Sequence, residues 1–501
     1  MRFRTCIKGP RSKLRGPRLQ PDVRPGEQPA ILPSLWKKKY LYSLANPEAS
    51  FGEFARCGIE TCFLIMLPSV FCLAADSASA SASTKITDSA ASVVSVKKAD
   101  SAPAFISMAG DCRYPAVVSE GNNLHLTWVV TEGVTASIYY RRSADEGKDW
   151  TISRRISNEK SDCYPPAMAV NSGIVHVAWI DYGETVDGEL YYSRSLDGGE
   201  TWEKNRILIT DANSARYPLL ACKEQNVYLI WQDVENKVYF KASRDQGLTW
   251  EKEMLLGKVG KHSCYCYPPA LSCNGNELLV VWTDFREDKK GINLGLDGFT
   301  LFKNNDKMVS SVVCRTSADK GRTWNNEQVL SATPVSKETK EEIDNPIVLS
   351  DGSQSYLFWL DRRNIQLGEI FYARFDPKTD KCPITGRNLY PIEKRSPKRP
   401  SVVFDKDKHL HFTWASYLGG ESVVSYGEID PAGNALKEKK ELTTSVGSYN
   451  NPIITMTASG FLHVFWFDAP KDKTEWSRIF LKTSKDNGAT WEDWGSQKKE
   501  M

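Results

Sequence analysis

Side chains able to do chemistry recur in this sequence at a fixed place, two residues before a proline that opens an apolar run. None of the seven residues at that place is aliphatic: Arg113, Tyr164, Arg216, Tyr267, Asp344, Lys398 and Asn450. Arg399 follows one position later in its repeat and adds a third guanidinium to those of Arg113 and Arg216. Three converging guanidinium groups could hold a carboxylate or a sulfate bidentately. The alternative is that these arginines pair with neighbouring carboxylates such as Asp111, Asp162 and Asp344.

These residues are far apart in the sequence and can meet only if the fold brings their segments together. A tryptophan repeat indicates such a fold. Seven tryptophans end alternating apolar runs at successive gaps of 51, 52, 51, 77, 55 and 52 residues: Trp128, Trp179, Trp231, Trp282, Trp359, Trp414 and Trp466. Each unit reads as three strands, a turn and a fourth strand, with no helical segment between units. This pattern predicts an all-β fold, a β-propeller of four-stranded blades, with seven blades favoured.

A turn motif closes five of the repeats. Its pattern is S-x-D-x-G-x-[TD]-W, beginning at Ser143, Ser195, Ser243, Ser317 and Ser484. The serine and aspartate oxygens can accept hydrogen bonds from turn amides, and the glycine can adopt a positive φ. We interpret the aspartates of these turns as scaffold: Asp145, Asp197, Asp245, Asp319 and Asp486. By topology the turns lie on the side opposite to the starts of the first strands, so we expect chemistry just before each proline and just after each tryptophan.

The turn motif resembles the Asp box, or BNR repeat, of the sialidase superfamily, over about residues 105–495. Arg113-Tyr114-Pro115 also resembles the R-I-P motif that opens the sialidase domain. The resemblance implies an exo-α-sialidase, with an arginine clamp for the substrate carboxylate, an aspartate acid/base and a tyrosine nucleophile activated by glutamate. Sialidases are usually six-bladed, which is the alternative blade number. The family also includes non-catalytic propellers, so a glycan- or protein-binding module is the alternative function.

The resemblance suggests roles for further residues. Tyr164 and Tyr267 are the nucleophile candidates. Arg286 and Arg362, in TDFRED and LDRRN, resemble the D-x-R of the sialidase substrate face and are reserve candidates for the clamp. No single Asp or Glu identifies itself as the proton donor. A polysaccharide lyase or a sulfated-glycan hydrolase is a third, weaker alternative.

Other recurrent residues are interpreted as structural. Five aspartates lie two residues after a tryptophan and are expected to cap loops: Asp181, Asp233, Asp284, Asp361 and Asp468. Four histidines occupy a packing position three residues before the tryptophan, so we expect neither metal nor cofactor: His125, His176, His411 and His463. Recurrent cysteines are small core residues or cross-blade disulfides: Cys112, Cys163, Cys222, Cys266 and Cys273. The insertion GINLGLDGFTLFKNN after Trp282 is either a flap over the channel or an extra hairpin.

Charge and composition divide the chain into segments. Residues 1–57 hold 12 Lys/Arg against 4 Asp/Glu and form a basic leader, unless the start codon is assigned too early. Residues 58–75 resemble a signal peptide, 76–104 a Ser/Ala-rich linker, and 105–501 the propeller. We therefore expect export to the periplasm, the cell surface or the medium, without a transmembrane span. The remaining 53 Lys/Arg against 58 Asp/Glu argue against a nucleic-acid partner and leave an acidic glycan or glycoconjugate.

Overall fold

The computed structural model describes residues 110–159, 161–183, 188–209, 215–233, 235, 237–258, 268–287, 308–334, 343–361, 368–375, 387–389, 395–443, 447–469 and 476–493. The expected leader, signal-like segment and linker lie outside the described residues. So do Tyr267, Arg362 and the insertion GINLGLDGFTLFKNN.

The described chain folds into seven antiparallel sheets of four strands, each built from consecutive strands. The first three blades comprise β1 Asp111–Glu120, β2 Asn123–Glu132, β3 Thr135–Ser143 and β4 Arg154–Arg155; β5 Ala167–Asn171, β6 Ile174–Asp181, β7 Glu189–Ser195 and β8 Arg206–Ile209; and β9 Arg216–Lys223, β10 Asn226–Gln232, β11 Lys237–Ser243 and β12 Met254–Lys258.

The other four blades follow the same plan. They comprise β13 Ala270–Asn274, β14 Glu277–Glu287, β15 Met308–Ser317 and β16 Gln328–Pro334; β17 Ile343–Ser350, β18 Ser355–Asp361, β19 Glu369–Phe375 and β20 Arg387–Asn388; β21 Ser396–Phe404, β22 Leu410–Leu418, β23 Glu421–Ile429 and β24 Lys440–Glu441; and β25 Tyr449–Met456, β26 Leu462–Asp468, β27 Arg478–Ser484 and β28 Glu492–Asp493.

The first strands of the blades form a closed ring. Each contacts the first strand of the next blade, from β1 through β5, β9, β13, β17 and β21 to β25, and β25 contacts β1. The prediction of a seven-bladed β-propeller is therefore confirmed, and the six-bladed alternative is wrong. The described residues contain no helix, and hence no helical segment with the length and apolar character that crossing a bilayer requires.

The repeated tryptophans are buried in the cores between blades. All seven expose 3% or less of their surface. Trp179 stacks on Tyr191 of the next strand in its blade, with ring centroids 5.9 Å apart. It also belongs to a core shared with Ile138 and Tyr140 of the first blade. A single blade would leave these faces in water, so each blade is stable only between its two neighbours.

The ring closes by packing and hydrogen bonds between blades 7 and 1. Cys112 N donates to the carbonyl of Ser477 at 3.0 Å, and Ser119 Oγ donates to the carbonyl of Met456 at 2.6 Å. The fourth strand of blade 7 is its own segment, Glu492–Asp493.

Each Asp-box turn holds itself together and fastens onto the preceding blade. In blade 2, Ser195 Oγ donates to Asp197 Oδ1 at 2.7 Å, and Thr201 N donates to the same oxygen at 2.8 Å. The glycine of this turn, Gly199, has φ +95°, and a Cβ there would lie 2.2 Å from the hydroxyl of Tyr140 in blade 1. Trp202 packs edge-on against the same Tyr140 ring at 5.0 Å. The motif therefore requires glycine for two reasons, a left-handed backbone and a close neighbour.

The Asp-box turns and the turns between first and second strands share one side of the ring, as expected. Glu146 N in the first Asp box donates to the carbonyl of Asn122, and Lys320 N donates to that of Asn276. We call this the Asp-box side. The opposite side, formed by the starts of the first strands and the ends of the second strands, is called the strand-start rim.

The described cysteines form no cross-blade disulfide with one another. Cys112 packs in the core between blades 7 and 1, and Cys163 in the core between blades 1 and 2. Cys222 and Cys273 likewise pack against different inter-blade cores. The description as small core residues is therefore correct for these four. Cys266 lies outside the described residues.

Candidate functional site at the strand-start rim

Four first strands carry a left-handed residue directly before their proline. These residues are Tyr114, Tyr217, Arg399 and Asn451, with φ between 46° and 53°. Each lies within a β-strand beside a register shift, so the shift is a bulge and not a turn. A bulge redirects the side chains next to it. Left-handed backbone at non-glycine residues costs roughly 1–3 kcal/mol each and clusters at functional sites.

Blades 2 and 3 bring an acid, two tyrosines and an arginine together on this rim. Tyr182, at the end of the second strand of blade 2, is hydrogen-bonded by the guanidinium of Arg216 from blade 3. Its ring meets that of Tyr164 edge-on, with centroids 5.0 Å apart. Its backbone N donates to the carbonyl of Asp162 at 3.1 Å. Tyr164 exposes 37% of its surface, so the group is open to solvent on one side.

Asp162 carries a half-buried carboxyl group with a raised pKa. Burial raises this pKa above the usual 3.8, with the nearby Asp181 carboxylate adding to the increase. Asp181 is fixed in place because its Oδ1 accepts hydrogen bonds from Asp162 N at 2.9 Å and Gly183 N at 2.8 Å. Burial and a like charge together favour a protonated carboxyl.

Arg113 on blade 1 is engaged by a neighbour on its own strand. Its Nη2 lies 2.7 Å from Asp111 Oδ2, and its Nε donates to Asp111 Oδ1 at 3.2 Å. Both side chains remain partly exposed, at 32% and 25%. This is the neighbouring-carboxylate pairing that the sequence left open for Arg113. An exposed pair of this kind contributes about 0–1 kcal/mol, so an anionic ligand can compete for the guanidinium.

A third group lies at the seam between blades 6 and 7. Tyr417, at the end of the second strand of blade 6, donates from its hydroxyl to the carbonyl of Tyr449 at 3.0 Å and to Asn450 Oδ1. Lys398 Nζ lies over the Tyr417 ring, 5.2 Å from its centroid. Burial raises the pKa of Tyr417 to about 12, although the adjacent Arg399 opposes the shift. Arg399 and Lys398 are both exposed.

Of the predicted site residues, Tyr164, Arg113, Arg216 and Arg399 lie on this rim, and the three arginines lie at different seams. Arg399, Arg113 and Arg216 belong to blades 6, 1 and 3, with blade 7 or blade 2 between neighbours. Arg286 lies in β14, paired with Val309 of β15, and Asp344 lies in β17, paired with Leu360.

Sequence reasoning missed Tyr182 and Tyr417 and gave Asp162 no role beyond pairing with an arginine. The two tyrosines occupy the same register position, three residues after Trp179 and Trp414, and each contacts the residue two before the next proline. That register was readable in the sequence. The raised pKa of Asp162 was not, because it depends on burial.

The residues expected to be structural make local contacts. Asp233 Oδ1 accepts hydrogen bonds from Glu235 N and Lys237 N, both at 2.8 Å, which is the loop-capping role expected of these aspartates. His125 and His176 are buried and each shares a 2.7 Å hydrogen bond with a tyrosine hydroxyl of its own blade. In the part of the chain that the structure describes, no group of three or more His, Cys, Asp or Glu side chains could hold a metal ion.

Comparison with known proteins finds a family similarity over somewhat less than half of the chain. Residues 111–346 match the family model described as BNR repeat-like domain. Over these residues the chain is similar to BNR repeat proteins. The match covers blades 1 to 4 and the start of β17, and the Asp box of blade 7 continues the same motif beyond it. No curated protein sequence matches the chain.

Solved structures similar to this propeller include an ulvan lyase, a sialidase and an arabinanase. An ulvan lyase of polysaccharide lyase family PL25, bound to -[GlcA(1-4)Rha3S]-, aligns with a TM-score of 0.50 at 12% identity, over 75% of this chain and 96% of that one. A sialidase of Trypanosoma rangeli aligns with a TM-score of 0.40 at 14% identity, over 63% and 53%. An α-L-arabinanase of Penicillium chrysogenum gives 0.43 at 15%, over 64% and 93%. At 12% identity the similarity to the ulvan lyase shows the fold alone.

Proposed function

We propose that the strand-start rim binds an acidic glycan and that blades 1 to 3 cleave it as a glycoside hydrolase. The observation that carries this proposal is Asp162, a carboxyl with a raised pKa beside the Arg216–Tyr182 hydrogen bond. A general acid must stay protonated near the working pH and must lie next to the group that holds the substrate. The proposed cationic contacts for the cleaved sugar are Arg113 and Arg216, whereas Arg399 of blade 6 would meet another part of the glycan.

The reaction follows from these positions. The guanidinium of Arg216 binds a carboxylate or sulfate of the sugar, and Tyr182 keeps that guanidinium in place. The proton of Asp162 passes to the glycosidic oxygen while the bond from that oxygen to the anomeric carbon breaks. In one route the Tyr164 oxygen bonds to the anomeric carbon while its proton passes to solvent, and water then displaces the tyrosine and gives a proton back to Asp162. In the other route a water molecule bonds to the anomeric carbon directly and releases its proton to solvent. An exo-α-sialidase is the specific form of this chemistry that the Asp-box resemblance implies.

A fluorogenic sialoside and a fluorogenic glucuronide, tested with the full-length protein, address this proposal. We expect turnover of at least one, and we expect Arg216→Ala to be at least 100-fold less efficient in kcat/KM than the wild type. Arg142→Ala is the matched control because Arg142 pairs with Glu200 on the Asp-box side. Equal turnover in wild type and Arg216→Ala would remove this arginine from the site. An unsaturated uronate product in place of a hydrolysed one would identify a lyase instead.

A non-catalytic binding module is the second candidate function, and the Arg113–Asp111 pair favours it. The pair has no net charge and offers both donors and acceptors, which suits sugar hydroxyl groups or a protein surface. Saturable binding of an acidic glycan without turnover of either fluorogenic substrate would support this function over hydrolysis.

We also propose that the protein is exported. The apolar run Phe63–Ala75 with small residues after it supports this proposal. Fractionation of cells producing the full-length chain, followed by N-terminal sequencing of the product, tests it. A product that stays in the cytoplasm with its original N-terminus would contradict export.

A further inference from the structure

Two cations of blade 6, Lys398 and Arg399, have no acidic partner among the described residues. Lys398 and Arg399 are adjacent and exposed, and neither forms an ion pair with a carboxylate in the described part of the chain. Arg113, by contrast, is neutralised by Asp111 on the same rim. Two adjacent cations without a counter-charge raise the local concentration of anions. The blade 6 seam is therefore the position on this rim where an anionic group gains most from binding.

This cation pair is built into the fold. Arg399 holds a left-handed backbone, φ +51°, at a bulge within β21. Lys398 is held over the ring of Tyr417, and the Tyr417 hydroxyl is fixed by the carbonyl of Tyr449 and by Asn450. A cation over an aromatic ring is stabilised even where it is exposed. The strain and the fixed ring together keep two positive groups at one place.

Blade 7 separates this pair from the arginine of blade 1. The first strand of blade 7, β25, lies between β21 and β1 and contacts both. Arg216 lies further round the ring, with blade 2 between it and Arg113. The blade 6 cations and the Arg216 site are therefore separated by blades 7, 1 and 2.

An exposed indole lies between the two groups of cations. Trp476 exposes 56% of its surface, and it is the one exposed tryptophan among the described residues. The carbonyl of the next residue, Ser477, accepts a hydrogen bond from Cys112 N, which places Trp476 at the seam of blades 7 and 1 beside Asp111. An aromatic face in that position can support a sugar ring.

We propose that Lys398 and Arg399 form a second anion subsite for the same glycan, so that the ligand is an oligosaccharide with several carboxylate or sulfate groups and not a single terminal acidic sugar. The chain of sugars runs from blade 6 past Trp476 to the Asp162 and Arg216 site. This inference rests on the proposed function, since it extends the same rim.

Calorimetric titration of the full-length protein with three ligands tests the subsite. D-galacturonate reports the Arg216 site alone, hexagalacturonate adds further carboxylates, and a chondroitin sulfate hexasaccharide adds sulfate esters. All titrations use the Asp162→Asn background, so that no ligand is cleaved. We expect at least one hexasaccharide to bind tenfold or more tightly than galacturonate. A gain with hexagalacturonate would identify carboxylate as the bound group, and a gain with the chondroitin sulfate hexasaccharide alone would identify sulfate.

The variant Lys398→Gln/Arg399→Asn removes the cations, and asparagine tolerates the left-handed backbone. We expect it to lose the hexasaccharide gain while galacturonate affinity stays unchanged. Trp476→Ala should weaken the hexasaccharide alone and keeps the subsite testable if the double variant is unstable. Lys406→Gln/Lys439→Gln removes the same charge from exposed positions away from the rim and should change nothing.

The outcomes separate the subsite from the proposed function. Full hexasaccharide affinity in both the double variant and Trp476→Ala, together with loss of galacturonate binding in Arg216→Ala, would overturn the subsite and leave the proposed function standing. No binding of any ligand by the parent protein would overturn both.

Discussion

The Asp-box side and the strand-start rim of the same ring both hold residues in left-handed backbone, for different reasons. On the Asp-box side these residues lie in tight turns, where Glu146 N and Lys320 N donate to carbonyls of the adjacent turn. On the rim, Tyr114 and Arg399 lie inside strands, at bulges that no turn requires. A turn that satisfies its own amides indicates scaffold. Strain kept inside a strand indicates selection for a particular side-chain direction.

The carboxyl groups of the two sides also differ, in the direction in which their pKa values are shifted. Hydrogen bonds from Thr201 hold the pKa of Asp197 down at about 2, and the pKa values of Asp319 and Asp486 are lowered to about 2 by the same contacts from Thr323 and Thr490. Asp162 on the rim has a raised pKa because burial and Asp181 disfavour its charge. An ionised carboxylate that accepts several hydrogen bonds contributes to stability. A carboxyl group with a raised pKa keeps its proton to a higher pH than usual and is the better candidate for proton transfer.

The largest expected effect is the loss of turnover in Asp162→Asn. If Asp162 is the general acid, kcat/KM should fall by roughly 100- to 10,000-fold. Stability should not fall, because the folded pKa is raised: ionisation of Asp162 disfavours the fold as pH rises above 3.8, and asparagine removes that cost. Fluorogenic assays and thermal unfolding at pH 7 measure both quantities. Unchanged turnover, or lower activity explained entirely by a lower Tm, would contradict the assignment.

The pH profile of wild-type kcat/KM should follow the same group. Turnover needs the protonated form of Asp162, so activity should decline as pH rises through its raised pKa. An alkaline limb that persists unchanged in Asp162→Asn would contradict this interpretation.

The next largest effect is on stability, at the Asp-box side. Alanine at Gly247 would need φ +79° and would place its Cβ 1.8 Å from the Tyr192 hydroxyl of the preceding blade. We expect a loss of about 3 kcal/mol or more in the free energy of unfolding, from overpacking plus backbone strain. Gly460→Ala is the matched control, since its φ is +87° but nothing lies within 4 Å, and it should cost about 1 kcal/mol. The free energy of unfolding of both variants is measured in urea. Equal losses in the two would show that Gly247 is needed for its backbone conformation and not for the close contact with Tyr192.

Acid should destabilise the propeller in two steps. Burial lowers the pKa of His125 and His176 from 6.5 to about 4, so the unfolded chain takes up these protons before the fold can. Each histidine therefore contributes stability that is complete above pH 6.5 and declines toward pH 4, by about 1.4 kcal/mol per pH unit.

The Asp-box carboxylates, with lowered pKa values, add a smaller loss between about pH 4 and 2. Urea unfolding at pH 7, 5.5 and 4.5 measures the first step. His125→Gln should flatten the slope, and a slope equal to that of the wild type would contradict the assignment.

The repeat predicts most of the architecture, because tryptophan spacing and the Asp box each recur in register. Seven buried indoles at equivalent positions leave few alternatives to a ring of blades. The rim was less predictable. A left-handed Tyr217 before Pro218, or a raised pKa at Asp162, follows from neighbours on adjacent blades, which a single-chain pattern does not reveal. The two tyrosine contacts, however, follow the repeat. Tyr182 and Tyr417 each lie three residues after the repeated tryptophan, and each contacts the residue two before the next proline, Arg216 or Asn450.

The smallest effect concerns Arg113 and separates ligand contact from simple pairing. Asp111→Asn removes the carboxylate that now occupies this guanidinium, at a cost of about 0–1 kcal/mol in stability. If Arg113 binds the acidic glycan, affinity measured by calorimetry should rise several-fold, since the ligand no longer competes with Asp111 and meets one negative charge fewer. Glu200→Gln breaks the corresponding pair with Arg142 on the Asp-box side and should leave affinity unchanged. The same affinity in all three proteins would mean that Arg113 serves only to pair with Asp111, and the glycan would then depend on Arg216 and blade 6.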